Sequence, residues 1–160
     1  MNLLKLTPIA VCLAGSALLF SATAGAQTAA PAAPAAPAAA ANDNSAKKAE
    51  GQLAAAAWLT MLDQGNWGGA YEASSQIFRN MVQIGQWMDS IPGVRKPFGG
   101  YQSRTASDVV YKTTLPGRPD GEYVTAIFQT DFTEKKGVEE LVTTVREADG
   151  KWRVIGYAPR

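Results

Sequence analysis

The sequence predicts an α+β domain in which helices pack on a four-stranded antiparallel sheet. Between residue 47 and about residue 90, apolar side chains recur every three or four positions, which is the period of a helix. Beyond Pro97 the chain becomes rich in Val, Thr, Ile and aromatic residues, in runs separated by turn signals. Short connections make such runs antiparallel, and the apolar face of the sheet needs the helices as its cover.

The first expected helix ends at Gly65, where a left-handed C-terminal cap fits the sequence. Asn66 is a suitable cap for a short second helix over residues 67–73, although two glycines weaken it. The apolar residues of the first helix that recur at helical spacing are Ala54, Trp58, Met61 and Leu62.

A longer third helix is expected to begin at Ser74 or Ser75 and to run to about Ser90. Pro92-Gly93 then ends the helix, because proline and glycine both interrupt helical hydrogen bonding. Its predicted core face consists of Ile77, Met81, Ile84 and Met88.

Four strands are expected after the helices, within residues 101–115, 122–132, 138–147 and 151–159. Pro159 lacks the N–H that a ladder requires, so we expect the last strand to stop at Tyr157. The leading picture is a curved sheet that holds the helices in an NTF2-like or cystatin-like cone. One side of the second strand consists of Val124, Ala126, Phe128, Thr130 and Phe132.

Residues 1–26 are predicted to be a signal peptide, with Lys5 before an apolar run and small residues at Ala24-Gly25-Ala26. Residues 27–46 are an Ala/Pro-rich tract that we expect to be a disordered linker, either a tether or a plain spacer. Residues 47–160 form the predicted single domain. The protein is therefore expected to be periplasmic or secreted, without membrane insertion once the signal is cleaved.

Composition excludes several kinds of chemistry. The chain has no histidine, and its single cysteine, Cys12, is removed with the signal peptide, so Ser-His-Asp, Cys-His and thiolate zinc sites are excluded. No run of oxygen ligands suits calcium, and neither a metal nor a cofactor is expected. Without Lys5, 14 basic residues balance 14 acidic residues, unlike the basic excess of nucleic-acid-binding proteins.

The segment Arg95 to Arg104 joins the two halves of the domain. Phe98-Gly99-Gly100 matches no phosphate-binding pattern and precedes a strand, so we interpret it as the bend from helices to sheet. Arg95 and Lys96 are expected to be solvated charges unless a partner binds them. Arg104 is different, because it lies within a predicted strand.

Arg104 and Glu140 are hypothesised to pair on the concave face of the sheet. A charge on the inner face of a strand costs several kcal/mol if it is left unpaired. The alternative is two independent charges in solvent. No catalytic residue is assigned, and an enzyme of the ketosteroid-isomerase type is left open with Tyr and Asp in the cone; its candidates are Asp108, Tyr111, Tyr123 and Asp131.

The chain resembles the bacterial domain of unknown function 4019 family across residues 53–157. Phe98 occupies a position that the family tends to fill with a smaller aliphatic residue. The chain also ends in Ala158-Pro159-Arg160, where an apolar continuation of the strand is expected. The segments that carry the resemblance are Trp58-Leu59, Asp63-x-Gly65, Phe78-Arg79, Trp87, Arg95-x-Pro97-x-Gly99, Ser103-Arg104, Leu115-Pro116-Gly117, Pro119 to Tyr123, Glu140-x-Val142-Thr143 and Asp149 to Tyr157.

The resemblance implies a small exported or envelope protein and supplies no reaction. Most of its shared residues are turn glycines or aromatic residues suited to a helix–sheet seam. Residues that we consider for binding a ligand or partner are Arg95, Arg104, Glu122, Tyr123, Glu140 and Tyr157.

The sequence therefore favours an exported, tethered, non-catalytic domain that binds an unidentified protein or small molecule in the cell envelope. Two alternatives remain open: the cofactor-free enzyme, and a purely structural homodimer whose cone is filled by its own side chains.

Overall fold

Four helices precede four strands in the computed structural model, which describes the backbone of residues 36–160 and the side chains of residues 43–160. The predicted signal peptide and residues 27–35 of the predicted linker lie outside this range. The helices are α1 (Ala36–Asp63), α2 (Trp67–Glu72), α3 (Gln76–Met81) and α4 (Ile84–Arg95), and a 3-10 turn, Lys96–Phe98, leads into the sheet. The strands are β1 (Tyr101–Lys112), β2 (Tyr123–Phe132), β3 (Val138–Arg146) and β4 (Trp152–Pro159).

The sheet has the strand order β1-β2-β3-β4, and each neighbouring pair is antiparallel. The α+β fold class with a four-stranded antiparallel sheet is confirmed. Irregularities in register occur twice in β1 and once where β3 meets β4. Such bulges bend a strand and increase its twist. The more specific likeness to an NTF2-like or cystatin-like cone stays a prediction.

The inner face of the sheet is packed against α1 by apolar side chains. All five residues that the sequence places on one side of β2 are buried, as expected from the two-residue period of a strand. Trp58, Leu59 and Leu62 of α1 cover them, and no side-chain N or O atom buried in the described part of the chain lacks a hydrogen bond. The face of the sheet that meets α1 is thus covered by the protein's own side chains.

Gly51 lets α1 approach β2 closely. A Cβ atom at this position would lie 2.5 Å from Cβ of Val124, well inside contact distance. The carbonyl of Gly51 also accepts a hydrogen bond from the Thr144 hydroxyl at 3.5 Å. Glycine at this point brings the backbone of the helix against the sheet.

Helix α1 begins earlier than the sequence analysis expected. Residues 36–46 are helical, so the expectation of an extended linker is wrong for this part of the tract. Alanine has the strongest helix propensity, and Pro37 lies in the first turn, where no intrahelical N–H bond is lost. The prolines at positions 31 and 34 lie before the helix.

The prediction of one long third helix is also wrong, because the structure has two helices in its place, α3 and α4. Val82 has extended backbone angles and separates α3 from α4, and its carbonyl accepts a hydrogen bond from the Tyr71 hydroxyl at 2.8 Å. The break changes the helical phase, so the predicted core residues Met81, Ile84 and Met88 are exposed. Phe78, Trp87 and Ile91 are buried in their place.

Pro92 and Pro159 do not end their elements as predicted. Helix α4 continues through Pro92 to Arg95, because burial of Ile91 and Arg95 offsets the backbone bond that proline cannot make. Strand β4 continues through Pro159, which lies opposite Glu140 between hydrogen-bonded positions. Its missing N–H therefore costs no ladder bond, and the Arg160 N–H bonds the Glu139 carbonyl at 2.8 Å.

No helix within residues 36–160 combines the length and apolar character needed to cross a membrane.

Candidate functional site

Two arginines and two carboxylates meet at one end of the sheet, beside the C-terminal ends of α1 and α4. These four charged residues lie on four separate elements, and β2 and β4 add a hydroxyl each. We call this group the ion cluster; its members are Asp63 (α1), Arg95 (α4), Arg104 (β1), Thr130 (β2), Glu140 (β3) and Tyr157 (β4).

Arg104 and Glu140 are paired, as the sequence hypothesis states. Arg104 Nη2 is 2.8 Å from Oε2 of Glu140, and Arg104 Nε is 3.0 Å from the same oxygen. The other edge of the guanidinium donates to both carboxylate oxygens of Asp63, at 2.8 and 3.0 Å. The Thr130 hydroxyl accepts from Arg104 and donates to Glu140 at 2.6 Å. One arginine thereby joins three strands and a helix.

Arg95 is not a solvated charge, so that expectation is wrong. Its side chain is 4% exposed and donates to Glu140, to Asp63 and, at 2.8 Å, to the Tyr157 hydroxyl. The guanidinium carbon lies 4.9 Å from the ring centre of Phe132. Lys96, the next residue, is exposed. The unexpected continuation of α4 through Pro92 carries Arg95 into the cluster.

The charges of the ion cluster hold Glu140 ionised. Burial raises the pKa of Glu140, but Arg104, the Thr130 hydroxyl and Arg95 outweigh burial and bring the pKa below the ordinary glutamate value. Burial, followed by the charge of Glu140, raises the pKa of the Tyr157 phenol above its ordinary value. At neutral pH the Glu140 carboxylate is therefore ionised and the Tyr157 phenol is neutral, and the phenol donates a hydrogen bond to the carboxylate.

A pocket of about 300 Å³ opens beside the ion cluster. Asp63 and Arg95 form part of its wall, and the exposed Lys96 lies next to them. Its apolar surface comes from side chains of α1, α2, β1 and β2, namely Leu62, Trp67, Tyr101 and Phe132. The volume lies at the lower end of the range of small-molecule sites, about 300–1,000 Å³.

Tyr101 separates this pocket from a second one of about 280 Å³ between α1 and β1. The ring of Tyr101 is 46% exposed, and the guanidinium carbon of Arg104 lies 4.9 Å from its centre. Arg104 lines the second pocket, together with Gln52 and Thr60 of α1. The two pockets thus lead to the ion cluster from the two sides of the exposed Tyr101 ring.

The binding candidates from the sequence divide between separate places. Arg95, Arg104, Glu140 and Tyr157 come together in the ion cluster. Glu122 lies at the opposite end of β2, where Lys47, Arg146 (3.1 Å) and the Tyr111 hydroxyl (2.9 Å) bind its carboxylate. Tyr123 is buried on the outer face of the sheet, and its hydroxyl donates to the Pro119 carbonyl at 2.6 Å.

The four candidates of the enzyme hypothesis do not share a cavity. Asp108 is exposed on the outer face of the sheet, and Asp131 accepts a hydrogen bond from the Gly137 N–H at 2.8 Å in a turn. Tyr111 and Tyr123 point to different faces of the sheet, as their strand positions require. Within the described residues, no three acidic, histidine or cysteine side chains are grouped to hold a metal ion.

Sequence reasoning missed Asp63 as a site residue, although a signal for it existed. A carboxylate in the last turn of a helix is disfavoured by the helix dipole unless a cation lies nearby. Asp63 occupies that position in α1 and meets both arginines. Trp67 and Tyr101 carried no such signal, because aromatic residues beside a cap or at a strand start are most often part of the core.

Comparison with known proteins gives one match. No curated protein and no solved structure matches the chain. The model of a family described as protein of unknown function (DUF4019) matches residues 54–157, which include every member of the ion cluster. This chain therefore belongs to the DUF4019 family.

Proposed function

We propose that this domain is a non-catalytic binding module of an exported protein, and that it holds a small ligand in the pocket beside Arg95. The observation that carries the proposal is the environment of Arg95. Both Nη atoms of this buried side chain bind neighbours, whereas among the described residues its Nε–H has no hydrogen-bond partner. The side chain lines the pocket, and its Nε is not among the fully buried atoms, since none of those in the described residues lacks a partner; this donor is therefore available to a ligand.

The rigidity of the surroundings supports a binding role. Ligand sites place a few polar groups accurately on an otherwise apolar wall, and second-layer contacts hold those groups in position. Asp63, Glu140 and Tyr157 fix the Arg95 guanidinium, while Trp67 and Phe132 supply apolar surface. An arginine held in this way loses little further conformational entropy when a ligand binds.

The same geometry favours binding over proton transfer. A general base needs a pKa near the working pH and reach to the substrate. Glu140 is 0% exposed and has a lowered pKa, and both Glu140 and Asp63 are paired with arginines. Helix α1 packs on the face of the sheet where the enzyme hypothesis expects an open cone, which also favours binding.

Export supports a setting in the cell envelope for this module. The N-terminal sequence has the pattern of a cleaved signal peptide, and helix α1 begins within the Ala/Pro tract, at Ala36. The ligand would then be a molecule present outside the cytoplasm.

The proposal is tested by native mass spectrometry of the protein isolated from bacterial envelope extract. We expect a chain that lacks residues 1–26 and carries a small noncovalent ligand that denaturation releases. The variant Trp67→Ala should lose the ligand, while Lys112→Ala, at the far end of β1, should keep it. A protein that carries no ligand under gentle ionisation, both as isolated and after incubation with envelope extract, contradicts the proposal.

A further inference from the structure

We infer that the ligand of this pocket is a small organic monoanion, a carboxylate with a flat apolar body, bound through Arg95 and Lys96. This inference rests on the proposed function and adds the chemical class of the ligand. Its support is the balance of hydrogen-bond donors, of charge and of apolar surface around the pocket.

Two of the hydrogen-bond donors at the pocket wall carry positive charge. The Asp63 carboxylate already accepts from Arg95 and from two nitrogens of Arg104. Near the end of α1, the carbonyls of residues 60–62 accept from the N–H groups of residues 64–66 at 2.8–3.1 Å. The wall also holds the Gln64 amide and the Tyr101 hydroxyl, each of which can donate and accept, so its two cationic donors, the Nε–H of Arg95 and the ammonium of Lys96, favour a ligand with acceptor oxygens.

The charge balance favours one negative charge on the ligand. Within the ion cluster, Arg95 and Arg104 neutralise Asp63 and Glu140. Lys96 adds an unbalanced positive charge at the pocket edge, and the remaining lining residues are uncharged. A cationic ligand would be repelled by Lys96 and would find no unpaired carboxylate on the lining residues. A monoanion instead neutralises the charge of Lys96.

Phosphate is a poorer fit for this wall. Sites for phosphate usually present several free backbone N–H groups at a loop or helix start. Here the Gly99 N–H bonds to the Lys96 carbonyl at 3.1 Å, and the Gly100 N–H bonds to the Thr133 hydroxyl at 2.9 Å. The glycine loop therefore offers no amide to a ligand, and a dianion would exceed the single positive charge.

The apolar walls define the other end of the ligand. The aromatic rings of Trp67, Tyr101 and Phe132 line the pocket, which suits a flat body. At about 300 Å³ the pocket admits a small molecule and excludes a folded peptide segment.

The test compares an acid with its uncharged isostere. The full chain is titrated with benzoate, benzamide and inorganic phosphate, and the indole N–H signals of the four tryptophans are followed by NMR. The Trp67 signal is assigned by its loss in Trp67→Phe, and Trp152, whose indole binds Glu50 at 3.0 Å, is the internal control. We expect benzoate to shift the Trp67 signal with a dissociation constant at least tenfold lower than that of benzamide or phosphate.

Charge variants complete the design. Lys96→Ala should weaken benzoate binding roughly two- to fivefold, the effect of one exposed charge, and leave benzamide binding unchanged. Lys112→Ala removes the same charge far from the pocket and should change neither. Equal binding of benzoate and benzamide overturns the anion inference and leaves the binding pocket standing, as does tighter binding of phosphate. If no compound shifts the Trp67 signal, the inference is overturned, and the proposed function falls with it only if the isolated protein also carries no ligand.

Discussion

Arg104 and Glu140 lie on β1 and β3 and meet across β2, with Nη2 and Nε of the arginine 2.8 and 3.0 Å from one carboxylate oxygen. Thr130, on the strand between them, hydrogen-bonds to both. The Glu140 side chain is fully buried, so the pair is enclosed in the core and its charges depend on each other. This relationship links the stability of the sheet to the geometry of the pocket.

Breaking this pair is expected to destabilise the fold strongly. Arg104→Ala leaves Glu140 with one arginine in a buried site, and losing a partner of a buried ion pair costs about 3–5 kcal/mol. Urea unfolding followed by circular dichroism measures the loss. Arg153→Ala, which removes a partly exposed ion pair with Glu147 and Asp149, is the control and should cost much less.

Replacing both partners separates pairing from simple packing. Arg104→Met combined with Glu140→Leu removes both charges and leaves Asp63 with Arg95. Because no unpaired charge remains, the double variant should recover part of the stability that Arg104→Ala loses. A double variant less stable than Arg104→Ala would show that the ion pair is not the source of the cost.

Acid should weaken the fold through Glu140. The folded-state pKa of Glu140 is lower than its unfolded value of 4.5, so its contribution is complete above pH 4.5 and is lost as pH falls through the folded pKa. The free energy of unfolding of the wild type should therefore decrease below pH 4.5. Glu140→Gln should be less stable at neutral pH but should show a shallower decrease. Parallel pH profiles for the two proteins contradict this role.

A second carboxylate reports whether α1 is attached to the far end of the sheet. The hydrogen bond from Lys47, followed by those from Arg146 and Tyr111, outweighs partial burial and lowers the pKa of Glu122 from 4.5 to about 2. We expect a carboxyl NMR titration to show that value, and Lys47→Ala to raise it toward 4.5. An unchanged pKa in Lys47→Ala would mean that this part of α1 does not contact Glu122 in solution.

Gly99 is expected to be intolerant of a side chain. Its φ of +78° is unfavourable for other residues, and a Cβ would lie 2.2 Å from the Thr133 hydroxyl oxygen. Gly99→Ala should lower stability by about 1–3 kcal/mol, measured from thermal unfolding. Gly93→Ala is the matched control, because a Cβ there meets nothing within 4 Å and alanine favours the helix. Equal melting temperatures for the two variants would show that Gly99 does not constrain the bend.

The strands were predictable from the sequence because local signals specify them. The alternation from Val124 to Phe132 and the turn signals between runs gave all four strands and their antiparallel order. The break at Val82 was not predictable, since Ile77, Met81, Ile84 and Met88 suit one continuous helix. Contacts distant in sequence, such as Tyr71 with the Val82 carbonyl, decide that break.

The candidate site was only half predictable for the same reason. Arg104 and Glu140 were identifiable as charges on strands, which must pair if they face inward. Arg95 was a binding candidate from the family resemblance, but its burial was not predictable, because Pro92-Gly93 suggested that the helix had already ended. To predict Asp63 as a site residue, one would have to know that the ends of α1 and α4 lie side by side. Only the packing of the helices determines that arrangement.

The central claim is that the buried ion cluster presents the Nε–H of Arg95 to a ligand. The most direct measurement is the NMR signal of that Nε–H as benzoate is added. We predict that the Arg95 signal shifts to saturation, while the Nε–H signal of Arg104, already bonded to Thr130 and Glu140, stays within the change caused by added salt. An Arg95 signal that does not move, or one that moves no more than that of Arg104, would contradict the claim.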